Sequence, residues 1–315
     1  MEVILITTLL LKTECEEKNM LKTNSDKLIK LSVIGEISSP VVGKSIYKIS
    51  ANGIPVVLPG VGGITYNLRV GDFACGWEAD HVEPGVSVEN KENDSRFGNA
   101  ANSAFNVFSC IGNQALVTSG DAKGSVGVVT GKHGGIEHVL VDFQLNILKK
   151  LIPGDKILIK SLGVGLKLLD YPDIRIMNMD PKFLQVLNPQ KIKKKLQVPV
   201  THIIPAAIMG SGLGKNHVHS GDYDLQMFDN KIIQEYGLSD LKLGDLVAIS
   251  DADHSFGRIY RQGAISIGIV VHTNSVIAGH GPGITSLMTS SSGKIVPKIN
   301  RTANIANLLN LRSNI

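Results

Sequence analysis

Short apolar runs separated by turn residues recur along the chain and predict a fold built mainly from β-strands. The runs are rich in β-branched residues, and most are bounded by Gly, Pro or Asn, as strands of small barrels and sandwiches are. They cover residues 31–34, 46–50, 56–58, 126–129, 157–160, 246–249 and 265–271. Gly-Asp steps at 71–72, 154–155 and 244–245 punctuate the pattern, and the second and third lead directly into predicted strands. In such a turn Gly adopts a positive φ and Asp bonds the local backbone.

Helical signals are few and short. Asp180 and Asn188 each stand before a proline, and a capping side chain followed by proline at the first helical position is typical of a helix start. This pattern predicts helices over 181–187 and 189–196. Two further helices are expected over 99–110 and 230–236, the second ended by Gly237.

The chain has 315 residues, which is enough for about two domains. We predict a mainly β fold (β-rich α+β) with two related barrel-like or sandwich-like halves over 21–170 and 199–315. A helical connector over 171–198 joins them, and a disordered or extended segment over 1–20 precedes them. Residues 4–11 are apolar, but Glu2 replaces the basic start of a secretory signal. A short extension, with Met20 as an alternative start, is therefore expected.

Composition narrows the classes of function. The net charge is only +4, and the basic run at 191–195 has no interleaved aromatic residue, so it is interpreted as a solvated face. No apolar stretch reaches the about 18 residues of a membrane helix. The three cysteines include no Cys-x-x-Cys pair, which favours a reducing cytoplasm. We expect a cytoplasmic homo-oligomer whose partner is a small-molecule substrate or ligand, with no nucleic acid and no membrane.

Many of the 33 glycines flank Asp and His in two copies of one pattern. In each copy a Gly-Asp step is followed at the same spacing by Ala-Asp-His, at 79–81 and at 252–254. Each copy then reaches a Gly-rich strand and a His flanked by Gly, which is His133 in the first copy and His280 in the second. The match favours gene duplication, and the alternative is chance similarity between two Gly-rich hairpins. Duplicated halves would bring their Asp-His pairs together at a pseudo-two-fold seam.

The second half adds a dense set of nitrogen and oxygen ligands. On an extended strand, residues i and i+2 share a face. Three pairs with this spacing follow one another: His217 with His219, Asp222 with Asp224, and Asp251 with Asp253. Imidazole with carboxylate suits zinc, manganese or iron, whereas carboxylates alone suit calcium or magnesium. A catalytic ion lowers the pKa of a bound water toward about 7, and a spare Asp or His would act as general base.

These patterns give three sets of hypotheses. The expected ligands of a divalent ion (zinc, manganese or calcium) are His217, His219, Asp222, Asp224 and Asp251. The expected catalytic residues are Asp253, His254 and His280. The residues expected to bind the ligand in the same cleft are Asp80, His81, Lys132 and His133.

Simpler interpretations of the same residues stay open. Asp beside Gly commonly only stabilises a turn, and we assign that role to Asp72 and Asp245. Gly-rich stretches around Lys123, Lys132 and Lys215 leave open an anion contact through backbone amides, although none has the spacing of a P-loop.

Two resemblances follow from these motifs. Through the segments 119–124, 129–135 and 218–224, the chain from about Met20 onward resembles an uncharacterised prokaryotic family, catalogued as a domain of unknown function and found in thermophilic anaerobes. Locally, Ser220-Gly221-Asp222-x-Asp224 followed by Gly244-Asp245 resembles the central block of acetamidase/formamidase enzymes, which are β-rich metal-associated amidases. This chain has Asp222, Val247 and His254 where those enzymes carry Asn, His and Glu.

The sequence therefore favours a metal-dependent hydrolase acting on a small polar substrate, such as an amide. One alternative is a non-catalytic protein that binds a small ligand or a metal. Another is a structural subunit of an oligomer.

Overall fold

The structure is a computed structural model that describes residues 21–43, 45–93 and 98–312. The segment expected to be extended, residues 1–20, lies outside these ranges. The first strands are β1 (Leu31–Ile37), β2 (Lys48–Ile49), β3 (Pro55–Val56), β4 (Val86–Glu89), β5 (Gln114–Val117), β6 (Val126–His133), β7 (His138–Asp142) and β8 (Lys156–Ser161). They are followed by β9 (Arg175–Ile176), β10 (Gln190–Ile192), β11 (Lys195–Val200), β12 (His202–Pro205), β13 (Tyr223–Asp224), β14 (Leu246–Asp253), β15 (Ile259–Val270), β16 (Gly283–Ser290) and β17 (Ile295–Ile299).

The helices are short. They are α1 (Ala100–Phe108), α2 (Leu145–Leu148), α3 (Pro181–Leu187), α4 (Asn230–Glu235) and α5 (Ile305–Leu308), with 3-10 turns at Ser25–Lys27, Ala206–Ile208 and Leu238–Asp240. No helix among the described residues is both long and apolar enough to cross a lipid bilayer. The chain is thus mainly β with a few short helices, which confirms the predicted fold class.

Six strands of the first part close into an antiparallel barrel. Their order is β1-β4-β7-β6-β5-β8, and β8 pairs back onto β1. Alternate residues of β8, Ile157 and Ile159, are fully buried while their neighbours are exposed or half-buried, as the two-residue period of a strand requires. The barrel therefore encloses an apolar core that extends toward the second part of the chain.

The second part is built on a mixed sheet rather than a second closed barrel. The strand order is β12-β14-β15-β16-β13, and β9 also pairs with β16. β12 runs parallel to β14, and the other pairs are antiparallel. A smaller sheet, β10-β11-β17, lies beside it.

The barrel and the large sheet meet where β6 ends. The Thr285 hydroxyl on β16 donates to the Lys132 carbonyl on β6 at 2.9 Å, and Gly131 leaves room for the Val271 side chain, which a Cβ would meet at 2.6 Å. This contact brings the end of β6 next to the strands and loops of the second sheet.

The Gly-Asp turns share one geometry, which confirms their predicted role. The glycine φ angles are 96°, 94° and 83° at Gly71, Gly154 and Gly244. In each turn the Asp carboxylate accepts from the backbone N–H three residues earlier, at Arg69, Ile152 and Lys242. The first and third turns also bond each other, because the Gly71 N–H donates to the Leu243 carbonyl at 2.7 Å.

Three of the four predicted helices form, as α1, α3 and α4, but the helix predicted over 189–196 is wrong. Helix α3 ends at Leu187 and is capped by Asn188, whose φ of 49° is left-handed, so Pro189 follows a helix instead of opening one. Residues 190–200 form the β10–β11 hairpin, which turns at Lys193 with φ 54°. Leu196 and Val198 alternate into the core, and that two-residue period outweighs the capping signal.

Candidate metal centre

Six side chains from both parts of the chain converge where the barrel meets the second sheet. They form two groups of three, His81 with Asp224 and His280, and His133 with Asp222 and His272. His133 is the last residue of β6, and Asp224 ends β13. His272 follows the end of β15, while His81 and His280 lie in loops. We call these the outer and the inner group, because all members of the inner group are buried.

The outer group has the spacing of ligands around one ion. The Nδ1 atom of His280 lies 2.9 Å from Asp224 Oδ2 and 3.1 Å from His81 Nε2. His81 Nε2 lies 3.4 Å from the same Asp224 oxygen. Nitrogen and oxygen atoms bound at about 2.0–2.2 Å to one ion lie roughly 2.9–3.5 Å apart, as these do.

The inner group joins the outer group through Asp224. His272 Nε2 lies 2.8 Å from Asp222 Oδ2 and 3.5 Å from Asp224 Oδ1. Asp224 therefore turns one carboxylate oxygen toward each group, and its side chain is suited to bridge two ions.

In three of the histidines, an acceptor contacts Nδ1 and thereby fixes the orientation of the ring. His81 Nδ1 lies 3.1 Å from Asp80 Oδ2, and His133 Nδ1 lies 2.6 Å from Glu83 Oε1. His272 Nδ1 lies 2.9 Å from the Thr273 carbonyl oxygen. Such partners hold the proton on Nδ1 and leave Nε2 free, which is the usual support of a metal-binding histidine.

The contact between His272 and Asp222 shows most clearly that a positive charge is required between their facing atoms. A carbonyl can only accept, so Nδ1 is the donor, and a neutral ring would present a lone pair at Nε2. That lone pair faces Asp222 Oδ2, and both atoms are buried without a hydrogen bond of normal geometry to any described residue. Two acceptors 2.8 Å apart repel each other unless a proton or a metal cation lies with them.

The electrostatics of the group favour a positive charge between these atoms, carried by a proton on His272 or by a metal cation. Burial alone would lower the pKa of His272, but the Asp222 and Asp224 carboxylates raise it well above its usual value. Burial would raise the pKa of both carboxyls, but His272 and the other histidines lower it. The two carboxylates thus stay ionised, and the site as a whole attracts positive charge.

Glycine residues pack closely against the inner group. A Cβ on Gly283 would lie 1.9 Å from Asp222 Oδ2 and 2.2 Å from His272 Nε2. Gly221 and Gly134 also approach closely, since a Cβ on Gly221 would lie 2.6 Å from the Gly134 Cα. Only glycine at these positions lets the loops carry the ligands to their observed distances.

The outer group opens into a cleft of about 450 Å³. Its lining includes His81, His133, His280 and both aspartates, together with charged or polar groups on the facing loops, Glu137, Lys215, His217 and Arg258. A ligand in this cleft would reach the outer group directly. Of the inner group, the buried His133 and Asp222 border the cleft, whereas His272 is not among its lining residues.

Comparison with known proteins identifies the family. Residues 47–185 match the domain of unknown function DUF4438, N-terminal, and residues 186–309 match its C-terminal counterpart. The chain belongs to the DUF4438 family. The crystal structure of TM1086 shares 49% sequence identity with it, has a TM-score of 0.86, and covers 91% of this chain and 98% of that one. Among curated proteins, none matches.

These matches confirm the resemblance to a domain-of-unknown-function family, and nothing in them supports the resemblance to acetamidase/formamidase. The boundary between the two DUF4438 domains divides the six side chains. His81 and His133 come from the N-terminal domain, and the other four come from the C-terminal domain. The candidate centre therefore lies at the contact between the DUF4438 domains.

Several predicted site residues of this DUF4438 chain meet in the cluster. The same-side placement of Asp222 and Asp224 is confirmed, since both face His272. His81, His133 and His280 join them, and Asp80 supports His81 while also accepting from Ser275 Oγ at 2.6 Å. Their metal and catalytic roles stay predictions.

The structure places the remaining predicted residues outside the two groups. His217 lines the cleft, while His219 contributes its carbonyl to the Lys132 ammonium at 2.9 Å. Lys132 is buried, and burial lowers its pKa to about 8. Its other contacts, to Asn178 Oδ1 and the Val107 carbonyl of helix α1, tie these segments to β6.

Asp251, Asp253 and His254 also lie away from the cluster. Asp251 accepts from the Gly263 N–H at 2.7 Å, and Asp253 accepts from the Ser255 N–H. His254 is buried against the Tyr223 ring, with ring centroids 5.0 Å apart. Tyr223 alternates with Asp222 and Asp224, so His254 lies on the opposite face of this strand.

His272 and Glu83 were not among the predicted residues. His272 directly follows the predicted strand 265–271, and its place after a Gly-rich strand matches that of His133 in the first copy of the repeat. Glu83 lies two residues beyond the Ala-Asp-His motif, and no local pattern marks its contact with His133.

Proposed function

We propose that this DUF4438 protein is a metal-dependent hydrolase of a small polar substrate. The observation that carries the proposal is the pair of adjacent triads, joined by the contact of His272 with Asp224, in which the buried His272 Nε2 and Asp222 Oδ2 face each other without a hydrogen bond of normal geometry. A divalent cation in each triad would satisfy the atoms that face one another there.

The ligand set favours zinc or manganese. Each group supplies two imidazoles and one carboxylate; imidazole suits zinc, and carboxylate also suits manganese. Calcium prefers six to eight oxygen ligands, so two nitrogens in each group make it the weakest of the expected ions.

The two groups are suited to different tasks. The inner group is buried and can draw on Asp224 as a further ligand, as closed sites do. The outer group has three protein ligands and borders the cleft, which leaves a position for water or substrate. A divalent ion in the outer group would lower the pKa of a coordinated water toward about 7 and polarise a substrate carbonyl.

Residues of the cleft would complete the reaction. His217 and Glu137 line it without belonging to either triad, so they are placed to transfer a proton to or from a bound substrate. The cleft volume of about 450 Å³ suits a small substrate. The proposal retains a cytoplasmic homo-oligomer as its setting.

Metal analysis of the untagged protein, followed by an amide and ester hydrolysis panel, tests the proposal. We expect near one or two equivalents of zinc or manganese, and hydrolysis that Asp224→Asn abolishes together with the metal. Asp251→Asn is the matched control, because Asp251 has φ 60°, a conformation that Asn also adopts readily. Metal below about a tenth of an equivalent would refute the premise.

The panel also separates the enzyme from the alternative, a non-catalytic metal or ligand binder. In that case the metal would be present, while wild type and Asp224→Asn would show the same background rate with every substrate.

A further inference from the structure

The side chain of Arg258 is a buried cation without an anionic partner. Only 2% of the residue is exposed, and none of the described carboxylates lies within ion-pair distance of its guanidinium. Nη2 donates to the carbonyls of His217 and Ser220, at 2.9 and 3.2 Å. Nε is buried and has no partner among the described residues.

Such an arrangement is costly unless something else pairs with the charge. Burial lowers the pKa of Arg258, while Asp222, Tyr223 and the nearby acidic groups oppose that shift. A buried guanidinium with an unused N–H group normally meets a carboxylate or phosphate, whose oxygens match its donors. Within the described residues no such group fills this role, although Arg258 lines the cleft beside the outer group.

A second cation is held next to Arg258 by the backbone. The Gly214 N–H donates to the Arg258 carbonyl at 2.8 Å, and the Arg258 N–H donates to the Lys215 carbonyl at 3.0 Å. Lys215 therefore lies beside Arg258 and also lines the cleft. The exposed His217, whose carbonyl Arg258 holds, lies on the same side of the opening.

We infer that Arg258, assisted by Lys215, forms an oxyanion subsite, so that the substrate carries a carboxylate or phosphate group. The anion binding does not depend on the proposed function, whereas the placement of the reacting bond rests on it. The anionic end of the substrate contacts Arg258 and Lys215, and its reacting bond then lies toward the outer group in the same cleft.

Isothermal titration calorimetry of the full-length protein with inorganic phosphate and with malonate tests the subsite. It also distinguishes a phosphate from a carboxylate as the anionic group that binds. We expect one of these probes to bind to wild type, and Arg258→Gln to weaken it roughly 10- to 100-fold, the usual range for one charged hydrogen-bonding partner. The affinity of Arg258→Lys for the probe should lie between those of wild type and Arg258→Gln. The matched control is Arg261→Gln, which removes a half-exposed arginine three residues away.

Arg258 donates to two loop carbonyls, so the folding of Arg258→Gln is checked by circular dichroism. Lys215→Gln is a second variant of the subsite that leaves those hydrogen bonds intact. Lys215→Gln should weaken the same probe several-fold. The inference is overturned if wild type binds neither probe at about 50 mM, or if Arg258→Lys and Lys215→Gln both bind as wild type does.

Asp224→Asn separates this inference from the proposed function. Loss of probe binding in Asp224→Asn with full binding in Arg258→Lys would place the anion on the metal and refute the subsite alone. Binding that depends on Arg258 in a protein without metal would support the subsite and refute the hydrolase proposal.

Discussion

Glu83 is the buried carboxylate that fixes the ring of His133, and replacing it by Gln tests the metal centre without touching a ligand. Oε1 lies 2.6 Å from His133 Nδ1. Oε2 accepts from the Gly62 N–H at 2.7 Å and from the Ser87 hydroxyl. Burial would raise the pKa of Glu83, but His133 and His138 lower it well below its usual value, so the native residue is a full acceptor.

A Gln side chain cannot satisfy these donors in either orientation. The Gly62 N–H is a fixed donor, so the amide oxygen must face it and the amide NH₂ must face His133. His133 then has to accept at Nδ1 and carry its proton on Nε2, the nitrogen needed for the metal. Loss of such a supporting partner lowers metal affinity about 10- to 100-fold, which corresponds to about 1.4–2.7 kcal/mol.

Chelator competition at neutral pH, followed by metal analysis, measures this affinity for wild type and for Glu83→Gln. His138→Gln is the matched control, because His138 contacts the same carboxylate at 3.0 Å but belongs to neither triad. We expect a much smaller change in the control. Equal metal affinity in Glu83→Gln and wild type, with both proteins folded, would refute the argument that His133 ligates through Nε2.

Two further predictions concern a ligand-side glycine and a buried histidine. Gly283→Ala places a Cβ within 2.2 Å of the inner ligand atoms, so metal content should fall to background. Gly43→Ala, which meets open space without a positive φ, should keep the metal, and normal metal content in Gly283→Ala would contradict the geometry. Burial, with Arg258 nearby, lowers the pKa of His254 from 6.5 to about 3, so its stabilising contribution is complete above pH 6.5 and is lost as the pH falls toward 3. When the pH falls from about 6.5 to 5, the unfolding free energy of wild type should drop by about 1.6 kcal/mol more than that of His254→Gln. The same pH dependence of urea unfolding in both proteins would show that His254 does not titrate in this way.

The strands and turns of this fold follow from local physics, and so they could be predicted. The period of β8 and the Gly-Asp turns are properties of a few neighbouring residues. Asp222 and Asp224 were predicted as a pair by the same alternation. Asp251 and Asp253 fail to form such a pair because a β-bulge lies between Ser250 and Ala252, with Asp251 at φ 60°.

The rest of the site depends on contacts between distant residues. Glu83 meets His133 across 50 positions, and Arg258 meets the His217 carbonyl across 41. The local sequence pattern does not indicate which residues so far apart in the chain come into contact. The repeat paired His133 with His280 because both are flanked by Gly, and it therefore passed over His272, which occupies the inner group with His133.

The division of the ligands between the two DUF4438 domains has a consequence for the order of events during synthesis. His81 and His280 are 199 residues apart in the chain, and a nascent chain that has emerged only through residue 185 carries just two of the six ligands. The inner group is complete once His272 has emerged, and the outer group only after His280 has followed. Under the proposed function, neither group can therefore bind its metal before most of the C-terminal DUF4438 domain has been synthesised.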